Sequence, residues 1–139
     1  MKRRQIILSL VFAPSLARAH SYTQGDIAIG HAWALPTTLN EGQVFVPLLN
    51  RGKVADALVA ARSPICRLIE LRRNNRYDDP PEREFSLDPG QPLPMRPTGR
   101  HLRLIGLAQP LNEGSAFETV LDFRDAGEIA IQVEVSPHG

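Results

Sequence analysis

Proline and glycine interrupt this chain so often that a long helix has almost no room to form. Twelve prolines and ten glycines occur among 139 residues, most of them between short apolar segments. Proline removes a backbone N–H and clashes inside a helix, and both residues favour tight turns. Short alternating segments recur about every 10 to 20 residues, without a sustained helical repeat, which is typical of strands. The chain is therefore predicted to be mostly β-strand.

The alternating segments predict how many strands there are and what fold they form. They span residues 26–31, 43–50, 56–62, 65–72, 83–87, 101–107, 117–124 and 128–135. About seven or eight short strands joined by tight turns are typical of an all-β Greek-key sandwich or a small barrel. The polar loop at residues 73–82 is predicted to be a mobile surface segment.

The first 19 residues have the order of a secretory signal peptide. Basic residues at positions 2–4 precede an apolar stretch over residues 6–16, and the small residues Ala17 and Ala19 follow. The apolar stretch is shorter than the roughly 20 residues that cross a bilayer, so no transmembrane anchor is expected after cleavage. Cleavage after Ala19 leaves residues 20–139, the size of one domain.

Removal of residues 1–19 changes the sign of the net charge. The full sequence has 16 basic and 15 acidic residues and a net charge of +1. Four basic residues and no acidic ones precede position 20, so the mature chain has 12 basic against 15 acidic residues, a charge of −3. Nucleic-acid binding is therefore not expected. Cys66 is the only cysteine, which excludes an intramolecular disulfide, and it is interpreted as a small, partly buried apolar residue.

Catalytic motifs are absent from the sequence. It has no Gly-x-Ser-x-Gly, phosphate loop, dinucleotide fingerprint or His-Glu-x-x-His. The acidic residues between positions 78 and 84 surround a Pro-Pro pair and have no apolar flank, so they are interpreted as a solvated loop. The chain is therefore predicted not to be an enzyme.

Three segments carry a resemblance to a known family. They are residues 19–34, AHSYTQGDIAIGHAWA; residues 63–72, SPICRLIELR; and residues 97–114, PTGRHLRLIGLAQPLNEG. The third is close to Pro-Gly-Gly-x-His-x-Met-Leu-x-Gly-Leu followed by Pro-Leu-x-x-Gly. On these segments the chain resembles the PCuAC family of periplasmic copper(I) chaperones. The resemblance runs from about residue 20 to residue 135 and implies a cupredoxin-like β-sandwich in the periplasm.

The resemblance also implies a function and a partner. It implies a chaperone that binds or delivers copper, with a copper-accepting membrane oxidase or another copper-handling protein as the partner. Members typically hold copper(I) with a His, a Met eleven positions on, and a His-x-Met pair, ligands that suit this soft cation. In this chain those positions carry Arg72, Arg83, His101 and Arg103. Arginine offers no lone pair, so weakened or altered coordination through His101 is expected.

A second group of copper donors depends on where the signal peptide is cut. A chain that begins at His20 has a free amine and an imidazole, which can chelate copper together and need one more imidazole. His31 and His101 are the candidates for that third nitrogen. A half-buried structural role also fits His31, because it shares strand parity with the apolar residues Ile29 and Trp33.

Strand alternation predicts where the family-site side chains point. His101 and Arg103 lie on the face opposite Leu102, so both are predicted to be exposed. Arg72 shares a face with Glu70, which is therefore its candidate partner. The alternative function is a non-metal binding or interaction module, in which an arginine-rich patch at the former copper site meets an acidic partner or an anion.

Overall fold

The described part of the chain is built from short strands. The computed structural model describes residues 21–139, so the predicted signal peptide and His20 lie outside it. The strands are β1 Tyr22–Gln24, β2 Ile27–Ile29, β3 Ala32–Ala34, β4 Glu41–Phe45, β5 Leu48–Asn50, β6 Asp56–Arg62, β7 Leu68–Arg72, β8 Phe85–Leu87, β9 Pro92–Leu93, β10 His101–Ile105, β11 Ala116–Phe123 and β12 Gly127–Val135. The all-β prediction is confirmed.

These twelve strands exceed the predicted seven or eight because several are very short. The predicted strand at residues 43–50 is divided at Pro47 into β4 and β5, where the ring removes a backbone donor. Strands β1, β3 and β9 contain three, three and two residues. Segments of that length hold too few alternations to be recognised in a sequence.

The strands form two sheets. The smaller sheet has the order β1-β2-β5-β9, and the larger has the order β7-β10-β4-β3-β12-β11-β6-β8. The pairing of β3 with β12 is parallel, and the other pairings within these sheets are antiparallel. Because most neighbours are not consecutive in the chain, distant segments meet at the same place. Within residues 21–139, no helix is long and apolar enough to cross a membrane.

Alternate residues of the long strands form the core. In β11 the buried positions are Phe117, Thr119, Leu121 and Phe123, whereas the residues between them are exposed or half-buried. Burial of these apolar side chains is the main favourable term in folding. The hydrophobic pattern thus sets the register of β11 on β12.

Thr119 is a polar residue on the buried face of β11. Its side chain is fully buried, and its hydroxyl has no hydrogen-bond partner among residues 21–139. Thr119→Val replaces that hydroxyl with a methyl group, so we expect the free energy of unfolding to rise by about 1 kcal/mol in urea denaturation. Thr23→Val, at an exposed position of β1, is the control and should change little. A loss of stability in Thr119→Val would mean that the hydroxyl has a partner.

Candidate functional site

Three neighbouring strands place polar side chains on one face of the larger sheet. Strand β10 pairs with β7 on one side and with β4 on the other, so that His101 lies opposite Arg72 and Arg103 lies between Glu70 and Gln43. Side chains alternate between the two faces of a strand, so those at every second position share a face. With Tyr77 from the loop after β7, these side chains form what we call the polar cluster: Glu41, Gln43, Glu70, Arg72, Tyr77, His101 and Arg103.

Glu70 links the two arginines of the polar cluster. Its Oε1 accepts hydrogen bonds from Arg72 Nε at 3.0 Å and Nη2 at 2.8 Å, and from Arg103 Nη1 at 3.3 Å. Arg103 also donates to Glu41 Oε1 from Nη2 at 2.7 Å and from Nε at 3.1 Å. Two guanidinium groups thus face two carboxylates. The charges within the cluster balance, and the candidate pairing of Arg72 with Glu70 is confirmed.

The arginines at the family positions do not form an exposed patch. The side chains of Arg72 and Arg103 are only 5 % and 15 % exposed. Arg72 Nη1 also donates to the carbonyl oxygen of Asp79 at 2.6 Å, which holds the following loop over the face. Arg83 is exposed in the bend before β8, and no hydrogen bond or ion pair of the polar cluster involves it. The prediction that Arg72 and Arg103 belong to an exposed arginine-rich patch is therefore wrong.

His101 is fully buried, which corrects the prediction that it is exposed. Alternation correctly places its side chain on the face opposite Leu102, but that face is covered. The loop after β7 reaches over this face through Tyr77. In the loop before β10, the carbonyl oxygen of Gly99 contacts His101 and that of Pro97 accepts a hydrogen bond from the neighbouring Gln43. Both faces of β10 are consequently buried at this point.

The hydrogen bonds of His101 identify its tautomer. Nδ1 lies 2.9 Å from Gly99 O, and a carbonyl oxygen can only accept, so Nδ1 carries the proton. Nε2 therefore presents its lone pair, which accepts a hydrogen bond from the Tyr77 hydroxyl at 2.7 Å. The Gln43 amide nitrogen lies 3.3 Å from the same Nε2 and donates to Tyr77 Oη at 3.2 Å. His101 is thus held neutral, with its lone pair covered by Tyr77.

His101 should make stability depend on pH. Burial lowers its pKa, the Gly99 carbonyl opposes that shift, and the charges of Arg72 and Arg103 lower the pKa further. The unfolded chain, with a histidine pKa of about 6.5, then binds more protons than the folded chain below that pH. This contribution to stability is present above about pH 6.5 and is lost as the pH falls through the folded pKa.

The test compares the wild type with His101→Gln. We expect the free energy of unfolding of the wild type to fall more steeply between about pH 7 and pH 5 than that of the variant, which lacks the titrating group. Urea denaturation at several pH values measures both slopes. Equal slopes would contradict a lowered pKa for His101.

Tyr77 is the main residue of the cluster that the sequence analysis missed. The loop at residues 73–82 was predicted to be a mobile surface segment, but Tyr77 turns inward and its ring lies 3.9 Å below the Arg103 guanidinium. The loop is closed at its end by a hydrogen bond of 2.9 Å from Glu82 N to Leu71 O. One signal was available: Tyr77 is the one aromatic residue of the ten-residue loop, and the other nine are polar or proline. Glu41 and Gln43, at alternate positions of β4, were also missed.

The candidate donor His31, and the two sulfur-containing side chains of Met95 and Cys66, lie away from the polar cluster. His31 is half-buried, as its structural interpretation predicts, and its Nε2 is 3.6 Å from Glu134 Oε1. Met95 packs against the core, and its sulfur accepts a hydrogen bond of 3.4 Å from Val46 N. Cys66 is partly buried, and burial raises its pKa. Among residues 21–139, no group of three or more His, Cys, Asp or Glu side chains is placed to hold a metal ion.

Comparisons with known proteins agree with this fold. The model of the LpqE-like lipoprotein family matches residues 27–135. The copper-bound PCuAC domain from PmoF2 is 26% identical, with a TM-score of 0.76 over 84% of this chain and 97% of that one. The apo PCuAC domain from PmoF1 is 22% identical, with a TM-score of 0.76 over 84% and 98%. No curated protein sequence matches significantly.

A more distant structure has the same fold. The solution structure of the copper(I) form of DR1885 from Deinococcus radiodurans is 18% identical, with a TM-score of 0.66 over 91% of this chain and 87% of that one. The likeness to these structures confirms the predicted cupredoxin-like β-sandwich.

Proposed function

This chain belongs to the LpqE-like family of PCuAC-type proteins, and from that premise we propose that it is an exported copper-handling protein that binds copper(I) weakly through His101. The copper-bound form of the PmoF2 domain supports copper as the cargo. The signal-like order of residues 1–19 and the lipoprotein description of the family support export, with the periplasm as the destination. A chaperone role does not require catalysis, so no enzymatic activity is proposed.

The observation that carries this proposal is the state of the His101 imidazole. Its Nε2 lone pair accepts a hydrogen bond from the Tyr77 hydroxyl and lies near the Gln43 amide. Both groups are neutral, so a metal ion can displace them. An imidazole nitrogen is a good ligand for copper. The guanidinium groups of Arg72 and Arg103 lie beside it and repel a cation. A single donor with two guanidinium groups beside it predicts low affinity, which suits an ion that must be released.

A low affinity for copper(I) would let a partner protein take the ion from this chain. A single imidazole leaves copper(I) under-coordinated, so a second chain can supply the remaining ligands and withdraw the ion. The partner proposed is a copper-accepting membrane oxidase or another copper-handling protein. In the correctly cleaved chain, the amine and imidazole of His20 would form a separate chelating group.

The test is a copper(I) titration of the chain beginning at His20, in competition with a chromophoric chelator. We expect saturable binding with a dissociation constant of the order of micromolar, or about −8 kcal/mol. His101→Ala should abolish the binding at the cluster, whereas His138→Ala, in the exposed tail, should not change it. Acetylation of the His20 amine separates the terminal donors from the cluster. Binding that is insensitive to His101→Ala and lost on acetylation would assign copper to the terminus instead.

The second candidate is a non-metal interaction module. It is favoured by the closed character of the cluster, in which both arginines are paired with carboxylates and His101 is hydrogen-bonded at both nitrogens. Such a cluster can serve as a structural support for a binding surface elsewhere on the sandwich. The same titration discriminates the two functions, because this candidate predicts no saturable copper binding with the amine free or acetylated.

A further inference from the structure

We propose that Tyr77 is a gate for the His101 site, so that copper reaches the imidazole only when the Tyr77 hydroxyl leaves it. The inference rests on the proposed function and adds to it the step that controls access. In this proposal the loop residue Tyr77 controls when His101 is free to bind copper.

The first observation is that the Nε2 lone pair of His101 can either accept the Tyr77 hydrogen bond or bind copper. His101 Nδ1 carries its proton toward Gly99 O, so Nε2 is the only ring nitrogen that can bind a metal. That nitrogen already accepts the Tyr77 hydroxyl at 2.7 Å. A hydrogen bond and a coordinate bond cannot share the same lone pair. Copper binding and the closed position of Tyr77 therefore exclude each other.

The second observation concerns how Tyr77 is held closed. Its ring packs against the guanidinium groups of Arg103 and Arg72, at 3.9 Å and 5.2 Å from the ring centroid. Arg72 also holds the loop by donating to Asp79 O at 2.6 Å. These contacts come from the same arginines that balance the carboxylates of the cluster. The closed position is thus built into the cluster and is not a chance contact of a surface loop.

The third observation is that Tyr77 has space into which it can move. It lines a surface groove of about 250 Å³ together with Leu35, Pro36 and Leu39. Leu39 is 69 % exposed, so this side of the groove is apolar and open. A phenol ring that swings away from His101 can pack on these side chains. The opening movement then needs a change in the loop at residues 73–82 and none in strands β7 or β10.

The test is Tyr77→Phe, which removes the hydroxyl and keeps the ring that packs on Arg103. The copper(I) affinity at His101 should rise about threefold to tenfold, the factor that corresponds to losing one competing hydrogen bond. Tyr22→Phe makes the same chemical change outside the cluster and should leave the affinity unchanged. Far-UV circular dichroism establishes that both variants keep the fold.

A measurement without metal tests the gate separately. The ¹⁵N resonance of His101 Nε2 in the metal-free protein should move downfield in Tyr77→Phe, because the lone pair loses its donor, and should stay in place in Tyr22→Phe. Copper binding that depends on His101 with neither a shift nor a gain in affinity in Tyr77→Phe would overturn the gate and leave the proposed function intact. Weaker binding in Tyr77→Phe would also overturn the gate, since Tyr77 would then be a ligand. A shift without copper binding in any of these proteins would overturn the proposed function and the gating of copper together.

Discussion

Replacing Glu70 with glutamine is expected to lower the free energy of unfolding by about 3 to 5 kcal/mol, the effect of removing one partner from a buried ion pair. Glu70 Oε1 accepts two hydrogen bonds from Arg72 and one from Arg103. The Arg72 side chain is 5 % exposed, so water cannot replace the lost carboxylate. Urea denaturation near neutral pH measures the change.

The exposed pair between Arg62 and Glu128 supplies the control. Arg62 donates to both carboxylate oxygens of Glu128, at 2.8 Å and 3.1 Å, but both side chains are about half exposed or more. Exposed ion pairs contribute little to stability, so Glu128→Gln should have a small effect despite its good geometry. If Glu70→Gln were as mild as Glu128→Gln, the cluster would not be the buried support described above.

Restoring neutral donors at two family positions is expected to convert weak copper binding into strong binding. The variant combines Arg72→His and Arg103→Met with Glu70→Gln, which removes the more buried of the two carboxylates that would lose an arginine partner. Positions 72 and 101 are directly opposed in β7 and β10, where side chains lie within about 5 Å of each other. We expect the copper(I) affinity to rise at least about 100-fold, or about 2.8 kcal/mol.

The physical reason is twofold. An imidazole and a thioether add lone pairs that suit copper(I), and the net loss of one positive charge weakens the repulsion of a cation beside His101. The matched control is Arg62→His with Arg124→Met and Glu128→Gln, which makes the same substitutions at exposed positions. Competition titrations of both variants give the comparison. An affinity equal to that of the wild type would show that His101 does not lie at a copper site.

Much of the site geometry follows from strand alternation. In β7 and β10 the alternation correctly pairs Arg72 with Glu70 and places His101 on the same face as Arg103. The short strands were harder to predict, since β3 and β9 contain three and two residues. Strand alternation predicts which side chains share a face, but it does not predict whether that face is exposed to solvent. That is why the prediction of an exposed His101 was wrong.

The sequence by itself determined the all-β class, the face that Glu70 shares with Arg72, the face that His101 shares with Arg103, and the charges at those positions. These follow from local rules: the two-residue period of a strand and the absence of a lone pair on arginine. Only the tertiary structure decided that this face is closed. Tyr77 contacts His101, which is 24 positions further along the chain, and Gln43, which is 34 positions before Tyr77. Contacts between such distant segments depend on how the strands are ordered in the sheet. The same local pattern could therefore have formed an open surface or, as it does here, a buried and charge-balanced cluster.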